Sequence, residues 1–226
     1  MKRFWKEAAV DAGGRVLLDG RPVRTPARAE LVLPTATLAD AVAAEWDGVG
    51  ERVDPRVMPL TGLANAALDR VAPDPETFAA GLARYAEGDL LSYRAEHPDA
   101  LVERQAGLWD PLLAWARDRH GAELMVTVGI SPVRQSADAV ERLGAAVRAF
   151  DPFRLAGLSP LVTIGGSLVV ALAVIEGKVT PEQGWAAVSL DEAWQLERWG
   201  EDPEALMALR NRERDWLAAA RFLALL

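Results

Sequence analysis

The stretch LVTIGGSLVVALAVI, residues 161–175, contains no charged side chain and constrains the fold more than any other part of the chain. It is shorter than the roughly 20 residues that a bilayer requires, so no membrane insertion is expected. A segment apolar on every side and too short to span must be buried in protein. The reading therefore places a buried central helix over 159–176, bounded by Pro160 and Glu176, with Gly165, Gly166 and Ser167 inside it. At 226 residues and 50% hydrophobic composition, the chain can supply one large domain or two modest ones around such a centre.

Charge narrows the partners. Lys and Arg total 25 against 33 Asp and Glu, a formal charge of -8. General affinity for nucleic acid or an anionic membrane surface is disfavoured, and a charged partner is expected to be basic. The absence of cysteine removes disulfide and thiol chemistry. The start, MKRFWKEAAVDAGG, lacks a signal-peptide apolar core and carries acidic residues that a transit peptide avoids. Together with the excess of arginine over lysine, this points to bacterial cytoplasm, or to the mitochondrial matrix for a processed organellar protein.

From Phe4 to Leu33 the text is short and strand-like, with Asp19-Gly20 set between two extended runs as in a tight hairpin. Such a hairpin needs further strands or a helix to hold a core. After Pro34 the signals turn helical. Thr37 is a candidate N-cap, with Gly48 or Gly50 as the stop, and helices follow near 61–72, 75–87, 98–120, 136–149, 159–176, 181–199 and 203–225. ELMVTVGIS, 123–131, reads as a short strand or extended loop. The plan is α+β: a β-rich N-terminal domain with one helix over 1–58 and an α-helical domain over 59–226. Pro111 deprives the Gly107 carbonyl of its helical partner, which predicts a kink or a new helix capped by Asp110. Gln105 falls on the same apolar stripe and needs hydrogen-bond partners if buried.

Reactive constellations are scarce. His97 precedes Pro98 in a turn, and His120 sits in a last turn before Gly121, where the helix dipole favours a cation. Neither has metal-binding spacing, and EGKVT at 176–180 lacks the upstream glycine and the hydroxyl residue of a P-loop. Asp191-Glu192 and Glu201-Asp202 are adjacent in sequence, so they project differently from a helix and make poor acid/base couples. The sequence nominates no catalytic residue, cofactor or metal. An alternative reading is a small-ligand protein or enzyme with a pocket between the two parts, using Arg94, Gln105 and Asp110.

LDEAWQLERWGED, residues 190–202, poses the functional question. Thr180, Pro181 and Gln183 spell a capping box and Gly200 a stop, which predicts one helix over 181–199. Its spacing lines up Trp185, Val188, Glu192, Leu196 and Trp199, while Asp191, Trp194 and Arg198 form an exposed group. Glu192 is then either solvated or paired with Arg198 or an arginine of the next helix, or it stands among large apolar groups awaiting a basic partner. Trp, of which the chain has 8 against 2 Tyr, is enriched at binding hot spots.

FWKEAAV at 4–10, LDGRPVRTPA at 18–27, LADAVAAEWD ending at Asp47, MPLTGLANAALD at 58–69, SYR at 92–94, QAGLWDPLLAW at 105–115 and QLERWG at 195–200 occur in family order. Together they resemble the assembly chaperones of F1 ATP synthase that act on the α subunit in mitochondria and α-proteobacteria. The resemblance implies a β-rich N-terminal domain and a helical C-terminal domain. It also implies a non-enzymatic protein that holds the free α subunit and shields its β-facing interface until β replaces it; a monomer is expected. Glu192 matches the family carboxylate important to chaperone action, with Gln195 and Trp199 fixing the register and Glu197 as a rival. The implied partner-binding set is Glu192, Trp185, Trp194, Glu197 and Trp199. Ser92 stands where the family often has Cys, so thiol chemistry is not essential to a shared function.

Overall fold

A computed structural model describes residues 2–129, 131–200 and 202–226, except for the side chain of Trp199. Three short strands, β1 (Ala8–Val10), β2 (Val16–Leu18) and β3 (Arg21–Pro22), form an antiparallel sheet in chain order, with Ala8 opposite Leu18 and Leu17 opposite Pro22. Asp19 and Gly20 turn β2 into β3 with φ of 48° and 78°, the positive values that the Asp-Gly pair predicted. The Asp19 carboxylate also accepts from the backbone N–H groups of Lys6 and Glu7, each at 3.0 Å, which binds the turn to the approach to β1.

Helix α1 (Ala36–Asp47) covers this sheet and buries Leu38, Val42 and Trp46 against Trp5, Val16 and Leu31. Its cap is Thr35, not Thr37 as the sequence suggested: Thr35 Oγ1 accepts from Leu38 N at 3.2 Å. Thr37 is the second residue of the helix, and its hydroxyl donates to Leu225 O at 3.3 Å. Gly48 ends the helix as expected. Glu45 reaches from α1 to the start of α2 (Pro59–Ala66), accepting from Leu60 N, Thr61 N and Thr61 Oγ1 at 2.8, 2.8 and 2.7 Å. One carboxylate thus satisfies N-terminal donors that the helix itself cannot. A π-helical turn, Ala67–Val71, follows, and its Asp69 accepts from Thr25 Oγ1 at 2.6 Å and Ala27 N at 2.9 Å.

The remainder is mostly helical, so the fold is α+β with the β structure first. After α3 (Pro75–Ala83), β4 (Tyr93–Arg94) pairs in parallel with β5 (Thr127–Val128), which places a short strand inside the stretch expected to be extended. Between them runs α4 (Asp99–His120), continuous through Pro111, and no new helix begins at Asp110. Then come α5 (Ala137–Arg148), α6 (Pro152–Gly165), α7 (Leu168–Ile175), α8 (Pro181–Val188), α9 (Leu190–Trp199) and α10 (Pro203–Ala224). Among the described residues no helix is long and apolar enough to cross a membrane.

The buried centre is therefore two helices rather than the single one expected over 159–176. Asp151 caps α6 ahead of Pro152, Pro160 lies within it, and Gly166 ends it in the left-handed region at φ 68°. Ser167 then caps α7 by accepting from Val170 N at 3.1 Å. Leu168 through Ala173 are fully buried, and α7 packs against α4, α6, α8 and α10. Glycine permits the closest of these approaches: a Cβ on Gly184 would sit 2.5 Å from Val174 Cγ2, and one on Gly165 would sit 2.7 Å from Trp216 Cζ3.

The break depends on Asp89, which is fully buried. Its carboxylate accepts from Ser167 Oγ at 2.8 Å, Val169 N at 3.0 Å and Leu91 N at 3.1 Å. The larger buried cluster surrounds this junction; the second joins the sheet, α1, Leu60 and Ala64 of α2, and Phe222 of α10. We propose the division at 58/59 as the domain boundary in the chain, with α2 and α10 stitching the N-terminal cluster to the helical part.

Two predictions follow from this packing. Phe222→Ala should cost about 3–5 kcal/mol in denaturant unfolding, the usual cost of emptying a buried aromatic site; a loss below about 1 kcal/mol would contradict its place in the core. Burial pushes the Asp89 carboxyl up to about 6 from its ordinary 3.8, with the donated hydrogen bonds opposing the shift. The folded state then holds that proton more tightly than the unfolded chain does. Its stabilising contribution is complete below pH 3.8 and is lost as pH rises through about 6. The stability gap between the wild type and Asp89→Asn should accordingly shrink by about 2 kcal/mol between pH 4 and 7. A gap independent of pH would show that the carboxyl titrates normally.

Candidate partner-binding surface

The Thr180 capping box forms as read, with Gln183 N donating to Thr180 Oγ1 at 3.2 Å and Thr180 N to Gln183 Oε1 at 2.9 Å. Gly200 closes α9 at φ 88°. Between them, the helix expected over 181–199 is divided at Ser189, whose hydroxyl donates to Trp185 O at 2.7 Å. Serine competes for nearby carbonyls in this way and favours helix ends. The division separates Trp185 and Val188, on α8, from Glu192 and Leu196, on α9, so the expected stripe does not run as one face.

Two tryptophans are correspondingly less open than the stripe implied. Trp185 is 8% exposed and packs at a tilt on Trp216, with ring centroids 5.9 Å apart. Trp194 is also 8% exposed, with the Arg104 guanidinium 4.7 Å and that of Arg198 5.6 Å from its ring centroid. Such cation–π contacts cover the indole, Arg198 among them, although the spacing had placed Arg198 with Trp194 in an exposed group. The Trp199 side chain and Glu201 lie outside the described part, while Asp202 caps α10 by accepting from Glu204 N at 3.0 Å.

The carboxylates take separate roles. Asp191 points inward to Gln105, whose Nε2 donates to Asp191 Oδ1 at 2.8 Å and whose Oε1 accepts from Ala95 N at 2.8 Å. Gln105 is buried, so both ends of its amide have the partners that burial demanded. Glu197 receives Arg104 Nη1 on both oxygens, at 3.0 and 2.8 Å, fastening α9 to α4. Glu192 meets Arg212 of α10, with Nη2 2.7 Å from Oε1, and the two side chains are 43% and 41% exposed. Pairing with an arginine of the next helix was one of the alternatives open to it.

Between α9 and α10 lies an open groove of about 340 Å³, walled by Leu196, Ala205, Ala208 and Leu209, with Glu192 and Arg212 at its edge. Glu192 and Leu196 were expected from the spacing of α9, whereas the α10 wall was not. The signal was available in the spacing of Ala205, Ala208, Leu209 and Arg212, three or four residues apart on one helical face. The first fully buried residue of α10 is Trp216, and its N-terminal half touches the core through the half-buried Leu209.

The residues nominated for a ligand pocket are engaged elsewhere. Arg94 donates to Asp110 Oδ1 at 2.7 Å and to Leu91 O at 2.9 Å, while its guanidinium lies 5.2 Å from the Trp109 ring centroid. Trp109 in turn donates to Ala187 O at 2.8 Å. With Gln105 these groups knit α4 to the 91–95 segment, α8 and α9, and the described cavities are all lined by residues between 70 and 212 rather than by the β-rich part.

His120 also departs from expectation. Burial holds its imidazole below the ordinary value, against the attraction of Glu176 and helped by repulsion from Arg119, so the cation favoured by the helix dipole is disfavoured here. Its Nε2 is 3.1 Å from Glu176 Oε1 but out of line for a hydrogen bond. Among the described residues no group of acidic or histidine side chains is arranged to hold a metal ion. For the α4–α9 tether, Gln105→Ala should cost about 1–3 kcal/mol by leaving Asp191 and Ala95 N–H unpaired, and should speed amide exchange across 190–199. Unaltered exchange there would show that the tether does not hold α9.

Comparison with known proteins places this arrangement. Residues 2–117 match the family model of the ATP12 chaperone protein. The chain is 27% identical over 214 residues to Protein atp12, mitochondrial, of Schizosaccharomyces pombe, covering 88% of this chain and 74% of that protein. The crystal structure of Atp12 from Paracoccus denitrificans matches with a TM-score of 0.93 at 45% identity, over 99% of this chain and 97% of that one. A mutant of the same P. denitrificans protein matches with a TM-score of 0.93 at 44% identity and the same coverage. The family match ends within α4, whereas the structural matches extend over nearly the whole chain, α9 and α10 with it. On the strength of that sequence match and of a fold shared nearly end to end, this chain belongs to the ATP12 chaperone family.

Proposed function

We propose that this protein is an assembly chaperone of F1 ATP synthase that binds the free α subunit and covers its β-facing interface until β takes its place. Family membership supports the chaperone role, and the ordered sequence motifs support the client. The observation that carries the reading is the α9–α10 groove, where aliphatic walls meet the half-exposed carboxylate of Glu192. A subunit made before its neighbour exposes an apolar interface that promotes off-pathway association. An acidic chaperone offering an apolar groove beside a carboxylate complements such a surface where it carries basic residues. Net charge aids encounter, and apolar contact sets the lifetime.

In this reading Glu192 is the principal partner-binding group, with Glu197 and Trp194 flanking it and Trp199 at the end of the same helix. Trp185 supports the site from beneath, since its ring is turned to Trp216. The protein acts as a monomer without catalysis or cofactor, in bacterial cytoplasm or, for an organellar form, in the mitochondrial matrix. Release follows competition by β for the covered interface.

Glu192→Lys should abolish suppression of F1 α aggregation, followed by light scattering, while shifting unfolding free energy by only about 0.5 kcal/mol, as for other surface changes. Isolated β, mixed in parallel, should form no complex. Undiminished protection of α by the variant would rule out this site, and a complex with β alone would rule out the client.

A further inference from the structure

Two ion pairs hold the α9 carboxylates, and they differ in kind. Arg104 gives Glu197 directed hydrogen bonds at 3.0 and 2.8 Å and stacks on Trp194 as well. Arg212 approaches Glu192 to 2.7 Å, yet among the described residues no aligned N–H···O bond joins them. Both members of that second pair remain about two-fifths exposed, where solvent and salt screen the attraction. Around it, α9 is tied to α4 through Arg104–Glu197 and Gln105–Asp191, whereas α10 has no buried residue before Trp216. The pair therefore lies across an apolar groove whose α9 wall is held by tighter contacts to α4.

We infer that Arg212 is a stand-in for a cation of the partner: the groove receives an apolar segment bearing an arginine or lysine, which takes Arg212's place on Glu192. The inference rests on the reading of Glu192 as a client contact and adds how the free protein occupies that contact. The walls select the apolar part of the segment, because Leu196, Ala205, Ala208 and Leu209 offer no side-chain hydrogen bond, and Gln195 adds a neutral amide to the lining beside the ion pair. The carboxylate selects the charge. A neutralised Glu192 presents less net negative potential to the free surface, and exchanging one guanidinium for a better-aligned donor needs no new buried charge. A partner that used Arg212 itself as its contact would instead present a carboxylate to the same edge.

The test uses the full chain and isolated F1 α subunit, with affinity measured for the wild type, Arg212→Gln, Glu192→Gln and the double variant at low and physiological salt. Arg212→Gln should tighten binding about 2–5-fold, since an exposed pair competes only weakly. Glu192→Gln should weaken binding about 10-fold or more and lower the salt dependence, and the double variant should match Glu192→Gln. Arg212→Leu, checked like the others by thermal unfolding, should behave as Arg212→Gln does. If Glu192→Gln weakens binding but both Arg212 variants bind as the wild type or more weakly, the stand-in is refuted and the client site survives. If Glu192→Gln binds as the wild type, the client site itself is refuted, and the inference with it.

Discussion

Asp89 accepts three hydrogen bonds at the junction where α6 ends and α7 begins, and it does so in full burial. An isolated carboxylate in such a place is costly, and it is tolerated because the donors converging on it would otherwise be stranded themselves. Ser167 and Val169 belong to the start of α7, Leu91 to the segment leading into β4. One side chain thus fixes where the buried helix breaks and where the 89–95 segment crosses it. Arg94 and Ala95 are positioned by that crossing. Through them the tie reaches Asp110 and Gln105 on α4, and through Gln105 it reaches Asp191 on α9. The outward α9 surface therefore inherits its placement from a polar junction in the core.

The parts of this fold that were legible in the sequence are those where a local rule has one solution. Asp19-Gly20 needs positive φ at both positions, so the hairpin was readable. Thr180 and Gln183 complete a box that other residues of that turn cannot, and Gly200 stops the helix that follows. The order of β-rich part and helical part was legible for the same reason, as hydrophobic periodicity changes after Pro34. Where two solutions compete, the sequence was silent. Thr35 and Thr37 can each cap α1, and both hydroxyls donate to Leu225 O beyond the end of α10, while only that of Thr35 also accepts from the helix, at Leu38 N. Gly165-Gly166-Ser167 is compatible with a buried helix passing straight through, until Asp89 arrives from 78 residues away to receive the Ser167 hydroxyl.

The candidate site was half legible for a related reason. Glu192, Glu197 and Leu196 could be placed on one helix from spacing, but the break at Ser189 decides whether Trp185 joins them. A serine hydroxyl can bond back to the carbonyl four residues earlier inside a helix as well as at its end, so the bend was not written locally. Once made, it turns Trp185 into the core beside Trp216 and leaves aliphatic residues, rather than indoles, as the open apolar surface. The apolar face of α10 is marked by its own spacing, but the crossing that sets this face against α9 is encoded by neither helix alone. Arg212 could be anticipated only as an unspecified arginine of the next helix.

Strength of contact follows the same geography. The interactions that hold α9 in place, Gln105 with Asp191 and Arg104 with Glu197, are aligned, and the first is partly withdrawn from water. The interaction at the groove's edge is solvated and poorly aligned. A protein that must hold a neighbour and then yield it gains from this division. A rigid wall keeps the ordering cost of binding low, while an edge contact that can be exchanged keeps the carboxylate from being locked to its own chain. An aligned, buried pair in the place of Glu192 and Arg212 would have stabilised the free protein while withdrawing the Glu192 carboxylate from that groove. Surface exposure at this position is therefore better understood as a condition for exchange than as a failure of packing.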